Sequence, residues 1–179
     1  MKAKKIIFII IVFLLGLGYG GFILMKNTIS ENIKSDESEV KNSWVELKNN
    51  IIIKNNKLID SYSSDKLLVN IVSLALQSNK EIKKSEFCNL DIVEKEFYLN
   101  QELLSFKLSN SKLNVSLNTL IEKYNQEVLL FNRKYRSYPN RFFFKRFGYK
   151  EKEFFYLKYG EENKNPKKKK EDILNSFGI

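Results

Sequence analysis

The chain has 179 residues, with seven Gly, two Pro, one Cys and no His, and 31 Lys and Arg against 21 Asp and Glu give a net charge of +10. That length suits one domain with a real core plus an appendage, rather than two domains. The missing His and the single Cys exclude an internal disulfide, a Cys/His zinc site and any His-based triad, so no metal or cofactor is expected. So few Gly and Pro favour long helices over a many-stranded sheet.

The opening stretch, "MKAKKIIFIIIVFLLGLGYGGFILMKN", has no charge between Ile6 and Met25, enough helix to cross ~30 Å of hydrocarbon. Lys2, Lys4 and Lys5 precede it, while Lys26 and Lys34 after it are offset by Glu31, Asp36, Glu37 and Glu39. The positive-inside rule then leaves residues 1–5 in the cytoplasm, makes residues 6–25 a single-pass anchor in the cytoplasmic membrane, and puts the remainder outside the cytoplasm. A cleavable signal peptide is the rival, with Gly16, Gly18 and Gly20 as small residues near a cleavage point. Phe22-Ile23-Leu24-Met25 resumes the apolar run after those glycines, and no A-x-A-like site stands out, which favours an uncleaved anchor. Gly16 and Gly20 have the spacing that lets membrane helices pack closely, a spacing common by chance.

Residues 26–39 are polar and read as a juxtamembrane linker or the fraying start of a helix. From Val40 a helical stripe appears: Val40, Trp44, Leu47, Ile51 and Leu58, interrupted by Lys54. Asp60 to Ser64 makes a break, with Ser64 or Asp65 able to cap a second helix through Leu67, Leu68, Ile71, Val72, Leu74 and Ala75, ending near Gln77 to Lys80. The lone Cys88, without a His to activate it, reads as a small buried apolar residue. A third helix spans Asp91 to Leu108, and the cluster Ser109-Asn110-Ser111 makes a turn with Ser111 as a cap.

The fourth helix runs from Lys112 to Tyr138, with Leu113, Leu117, Leu120, Tyr124, Val128, Phe131, Tyr135 and Tyr138 in a four-three alternation. This is a coiled-coil-like seam. Tyr124-Asn125 recurs seven positions on as Phe131-Asn132 because that step returns to the same helix face. Asn125 and Asn132 flank the seam, where their amides either bond a partner on a neighbouring helix and fix its register or remain solvated; spacing does not choose. Pro139 ends the helix and Gly148 permits a left-handed residue after Phe142-Phe143-Phe144. Phe154, Phe155, Leu157 and Tyr159 then read as a strand-like or extended segment laid across the helices to close one end of the core. A membrane-surface patch with Arg141, Lys145 and Arg146 is the alternative. Residues 161–179, with Lys167, Lys168, Lys169 and Lys170 in a row, read as a solvated, mobile basic tail.

Tyr124-Asn125, Val128, Phe131-Asn132, Tyr135, Tyr138-Pro139, Phe144, Phe147-Gly148-Tyr149 and Phe154-Phe155 together resemble the carboxy-terminal signature of LemA family proteins. Val40, Trp44 and Leu47 resemble that family's early helix. The chain departs from the family at "KNNKLIDSY", where an arginine-rich turn is usual, at Phe144, where a small residue is usual, and at Ile121, in place of an Arg. The resemblance is strong over 113–155, weaker over 40–62 and not visible in the lysine tail, as in a divergent member. It implies an all-α protein: an N-terminal transmembrane helix followed by an antiparallel bundle of about four long helices over 40–160. It implies no catalytic mechanism. Some relatives are tied to membrane remodelling and others sit beside membrane metallopeptidases, so the implied role is a scaffold or adaptor with a membrane or envelope protein, such as a peptidase, as partner.

Three functions follow. A non-enzymatic anchored scaffold fits the anchor, the seam and the lack of metal-ligand clusters. A carboxylate-based enzyme would need Glu94/Glu96, Glu122/Glu127 or Glu151/Glu153, but these fall among Lys in patterns typical of solvated helix faces, with no Gly-rich loop or nucleophile elbow to organise them. The alternative to the scaffold is a peripheral binder of anionic lipid or cell-envelope polymer, acting through Arg141, Lys145, Arg146 and Lys167 to Lys170. No nucleic-acid module is recognisable, so nucleic acid is not an expected partner. The sequence leaves self-association open.

Overall fold

The computed structural model describes residues 2–108 and 110–176, with side chains described from 12 to 108 and 110 to 172. The side chains of Lys2, Lys4 and Lys5, those of the first part of the apolar run, and Ser109 of the expected turn lie outside the described residues. The rest is all-helical, with no strand among the described residues: α1 (Lys2–Tyr62), α2 (Val69–Lys84), α3 (Leu90–Ser105), α4 (Ser111–Arg136), α5 (Asn140–Arg146) and α6 (Pro166–Ser176). α1 packs on α2, α4 and α5, α2 on α3, α4 on α5, and α6 on α3.

The largest departure from expectation lies in residues 26–39. They form no separate linker but continue α1 without a break. No Gly or Pro occurs between Gly21 and Pro139 to interrupt a helix. The buried stripe also begins earlier than Val40: Ile29, Ile33, Val40, Trp44, Leu47 and Ile51 step by three, four or seven and are all covered. The two isoleucines of an otherwise polar stretch thus fall on the core-facing side. The acids beside them are held as well. Asp36 pairs with Lys134 at 2.6 Å and accepts a hydrogen bond from the Tyr135 hydroxyl at 2.5 Å, and Glu37 pairs with Lys152.

Where turns do occur, short polar side chains make them. Asn89 and Asn110 cap α3 and α4 by accepting from the N–H groups of Ile92 and Leu113 at 3.0 and 3.1 Å. Asn110, not Ser111, is therefore the cap of α4. Neither Ser64 nor Asp65 caps α2; Asp65 instead accepts from the Leu67 N–H at 2.8 Å, closing a local turn before the helix.

Of the expected seam of α4, Leu117, Tyr124, Val128, Phe131 and Tyr135 are buried, Leu113 and Leu120 are only half-buried, and Ile121, outside the alternation, is buried in addition. Trp44 of α1 meets Tyr124 and Phe155 with ring centroids 5.6 and 6.4 Å apart. Tyr138 does not join the seam. α4 stops at Arg136 ahead of Pro139, and Tyr138 is 86% exposed. Phe143 and Phe144 of α5 turn back into the core, with Phe144 stacked on Tyr135. Gly148 then takes φ +75, the left-handed turn that only glycine adopts without strain.

The tail corrects a second expectation. Residues 166–176 are the helix α6, docked on α3. Lys167 reaches Glu94 at 2.9 Å, Lys170 reaches Glu153 at 2.5 Å, and Lys169 donates to the Tyr156 carbonyl at 3.3 Å.

At the N-terminal end α1 presents Val12 to Met25 to solvent, apart from a half-covered Gly20. This helix is long and apolar enough to cross a membrane.

Candidate functional site

Residues 151–158 run without regular structure, yet Phe155, Tyr156, Leu157 and Tyr159 are buried in them and just beyond. Such a segment must find partners for its backbone N–H and C=O groups. α4 supplies them through asparagines. Asn132 donates to the Lys152 carbonyl and accepts from the Lys152 N–H, both at 2.9 Å. Asn125 does the same for Phe155 at 3.1 and 2.8 Å. Asn118 does it for Tyr159 at 3.1 and 2.8 Å. Each side-chain amide matches the backbone as a strand would, one donor and one acceptor side by side.

The spacing follows from geometry. Seven helical residues rise about 10.5 Å, close to the three extended residues from Lys152 to Phe155 and somewhat less than the four from Phe155 to Tyr159. A fourth clamp comes from α3: Asn100 accepts from the Gly160 N–H at 2.9 Å and donates to the Glu161 carbonyl at 3.0 Å. The Tyr124 hydroxyl adds a bond to the Glu153 carbonyl at 2.9 Å. Of the signature residues, Trp44, Tyr124, Val128 and Phe131 supply packing, Asn125 and Asn132 the clamps, and Pro139, Gly148 and Tyr149 shape the turn that delivers the segment. The partner of Asn125 and Asn132 is this extended segment and not a neighbouring helix. Asn118 went unread because Leu117, not an aromatic, precedes it, although it lies one further seven-residue step back.

A second polar group lies in the core. Glu96 is fully buried, and its Oε2 accepts from Lys54 Nζ at 2.5 Å and from the Tyr159 hydroxyl at 2.6 Å. Its Oε1 accepts from Asn55 at 2.8 Å and from the Ser78 hydroxyl. Lys54, 3% exposed, also stands 4.2 Å from the centre of the Tyr159 ring. This overturns the reading of Glu96 as part of a solvated face. Burial pushes its carboxyl pKa up, but the Lys54 charge and the bonds from Asn55, Lys54 and Ser78 outweigh that and hold it below the ordinary value. The Tyr159 hydroxyl is driven the other way, upward, by burial and by the Glu96 charge. In the sequence Lys54 interrupts an apolar stripe. It and Glu96, which falls between Ile92, Val93 and Leu99 on the apolar face of α3, were legible only as polar residues in apolar positions.

The other carboxylates are dispersed. Glu94 and Glu153 hold lysines of α6, and Glu151 makes a bidentate bond with Arg136 at 2.7 and 2.9 Å. Glu122 lines a groove and Glu127 is half-buried. Glu96 therefore has no second carboxylate among its hydrogen-bond partners, and no cluster of three metal-ligating residues occurs among the described residues. Burial also pushes the Cys88 thiol well up, away from a reactive thiolate.

The seven basic residues expected to act together sit on two separate helices that do not touch. Lys167 to Lys170 belong to α6, where three of them bond the body. Arg141, Lys145 and Arg146 lie exposed on α5 and form no ion pair among the described residues. Between α4 and the clamped segment runs an apolar groove of about 500 Å³, lined by Ile121, Leu129, Phe154, Tyr156 and Lys169 among others. Comparisons with family models, curated proteins and solved structures found no match to this chain.

Proposed function

We propose that the protein is a non-enzymatic, single-pass membrane-anchored scaffold of the LemA type, with its N-terminus in the cytoplasm and its helical body outside. In this reading α1 to α4 act as an antiparallel bundle of about four long helices that presents a surface to another membrane or envelope protein, a membrane peptidase being one candidate by resemblance. The observation that carries it is the continuity of α1: the apolar run and the core stripe are one helix, so the body is held rigidly to whatever the run is embedded in. The carboxylates support it too, since Glu94, Glu96, Glu151 and Glu153 are engaged with cations of the same chain.

The test is topology. With Cys88→Ala and a single Cys at exposed Lys168, intact cells treated with a membrane-impermeant thiol reagent should label, and a photocrosslinker at exposed Leu129 in the groove should capture an envelope protein. Protection of position 168 that vanishes on lysis would contradict the orientation. A groove crosslinker that captures nothing in intact cells would contradict the scaffold role of that face.

A further inference from the structure

α5 is placed beside the last turns of the apolar run. The ring of Phe143 lies 5.5 Å from that of Phe22, and Phe22 is three residues, about 4.5 Å of helix rise, short of Met25 where the run ends. If the run is in hydrocarbon, α5 stands at the level of the headgroups.

The chemistry of its outer face suits that level. Arg141, Phe142, Lys145 and Arg146 follow one another at steps of one, three and one, so all four share a face, while Phe143 and Phe144 turn inward. Phe142 is 52% exposed and Tyr138, just before the helix, is the most exposed large hydrophobic residue described. From Ser137 to Lys150 the sequence has no Asp or Glu. Lys134 and Lys152 have carboxylate partners, whereas Arg141, Lys145 and Arg146 have none among the described residues, a state they share with other exposed lysines of the chain, so it is their clustering beside α1, with no acid nearby in sequence, that sets them apart.

We propose that the outer face of α5 is a foot resting on the bilayer beside α1. Tyr138 and Phe142 enter the interfacial zone, and Arg141, Lys145 and Arg146 bind the phosphates of anionic phospholipids in the leaflet from which α1 emerges. Aromatic rings favour that zone, and basic side chains with long apolar stems reach from it to the phosphates. A foot beside the anchor would fix the tilt and rotation of the body over the membrane. The inference rests on α1 being embedded.

The full chain, as Cys88→Ala, would carry one environment-sensitive fluorophore at Cys introduced for Leu15, for Ser137 or for Leu67, the last in the turn that follows the far end of α1 and 82% exposed. Each would be placed in nanodiscs of phosphatidylcholine alone or of an equal mixture with phosphatidylglycerol, with nitroxide-bearing lipids as quenchers. The expected result is quenching at 15 by acyl-chain nitroxides in both discs, quenching at 137 by headgroup nitroxides in the anionic discs, and none at 67. Arg141→Gln, Lys145→Gln and Arg146→Gln together should bring 137 down to the level of 67, as should phosphatidylcholine alone. Quenching at 15 with none at 137 would overturn the foot and leave the anchor standing. No quenching at 15 would overturn the anchor and the foot with it. Quenching at 137 that survives the triple substitution would overturn the binding of anionic phosphates.

Discussion

The asparagine ladder along α4 and the Lys54–Glu96 pair both hold the segment 151–160 in place, one with neutral amides at its half-buried edge and the other with full charges in the core. Tyr159 belongs to both, its backbone clamped by Asn118 and its hydroxyl by Glu96. Neutral amides lose little on leaving water and regain it rung by rung, so each rung is a local, separable contribution. A buried charge pair loses a great deal of hydration, and its members are tolerable only together. The ladder sets where the segment lies, and the pair makes its arrival conditional on α1 and α3 being in register.

Predictions follow from breaking each region in turn. Lys54→Ala should be the most damaging, because it leaves the Glu96 carboxylate in the core without its counter-charge, with only the neutral donors Asn55, Ser78 and Tyr159; about 3–5 kcal/mol is expected, read from the urea midpoint of the full chain in micelles. Lys54→Met with Glu96→Leu should recover most of that loss, and a double variant as unstable as the single one would mean the pair is not the source. Asn125→Ala should cost less, about 1–3 kcal/mol, because it strips partners from the buried Phe155 N–H and C=O. Hydrogen exchange should quicken at Phe155 far more than at Lys152 or Tyr159; equal acceleration at all three would mean the rungs are not separable.

Acid sharpens the contrast. Glu96 has a folded pKa below its unfolded one, so its contribution is present above the ordinary carboxylate range and is lost as pH falls through the lower folded value. The urea midpoint of the native chain should drop over that window, and Glu96→Gln should remove part of the drop, while Asn125→Ala should leave its slope unchanged. Lys170→Ala should have the smallest effect, roughly 0–1 kcal/mol, because its pairing with Glu153 is partly open to water.

Much of this was legible in the sequence. The seam of α4, its end before Pro139, the left-handed Gly148 and the extended 151–159 follow from periodicity and from two special residues. The repeat of Asn125 and Asn132 was visible, but its partner was not. An amide bonding to backbone leaves no mark on the partner's side chains, and nothing in Lys152 or Phe155 announces it. Lys54 and Glu96 are forty-two positions apart, each a polar residue on an apolar stripe whose meaning appears only when α1 packs near α3. Residues 26–39 were misread because composition was weighed over placement. Two isoleucines on the correct face, with no helix breaker nearby, suffice when the flanking acids find Lys134 and Lys152. The lysine tail was misread for the matching reason, that its carboxylate partners lie far away in sequence on α3 and in the clamped segment.

The account turns most on α1 being one helix from the apolar run into the core. Spin labels at Cys introduced for the exposed Leu24 and Val45, in a Cys88→Ala chain held in nanodiscs, measure this directly. Twenty-one helical residues give about 32 Å between backbones, so a single narrow distance near that value is predicted. A broad distribution centred well below it, as a flexible linker over 26–39 would produce, would contradict the account.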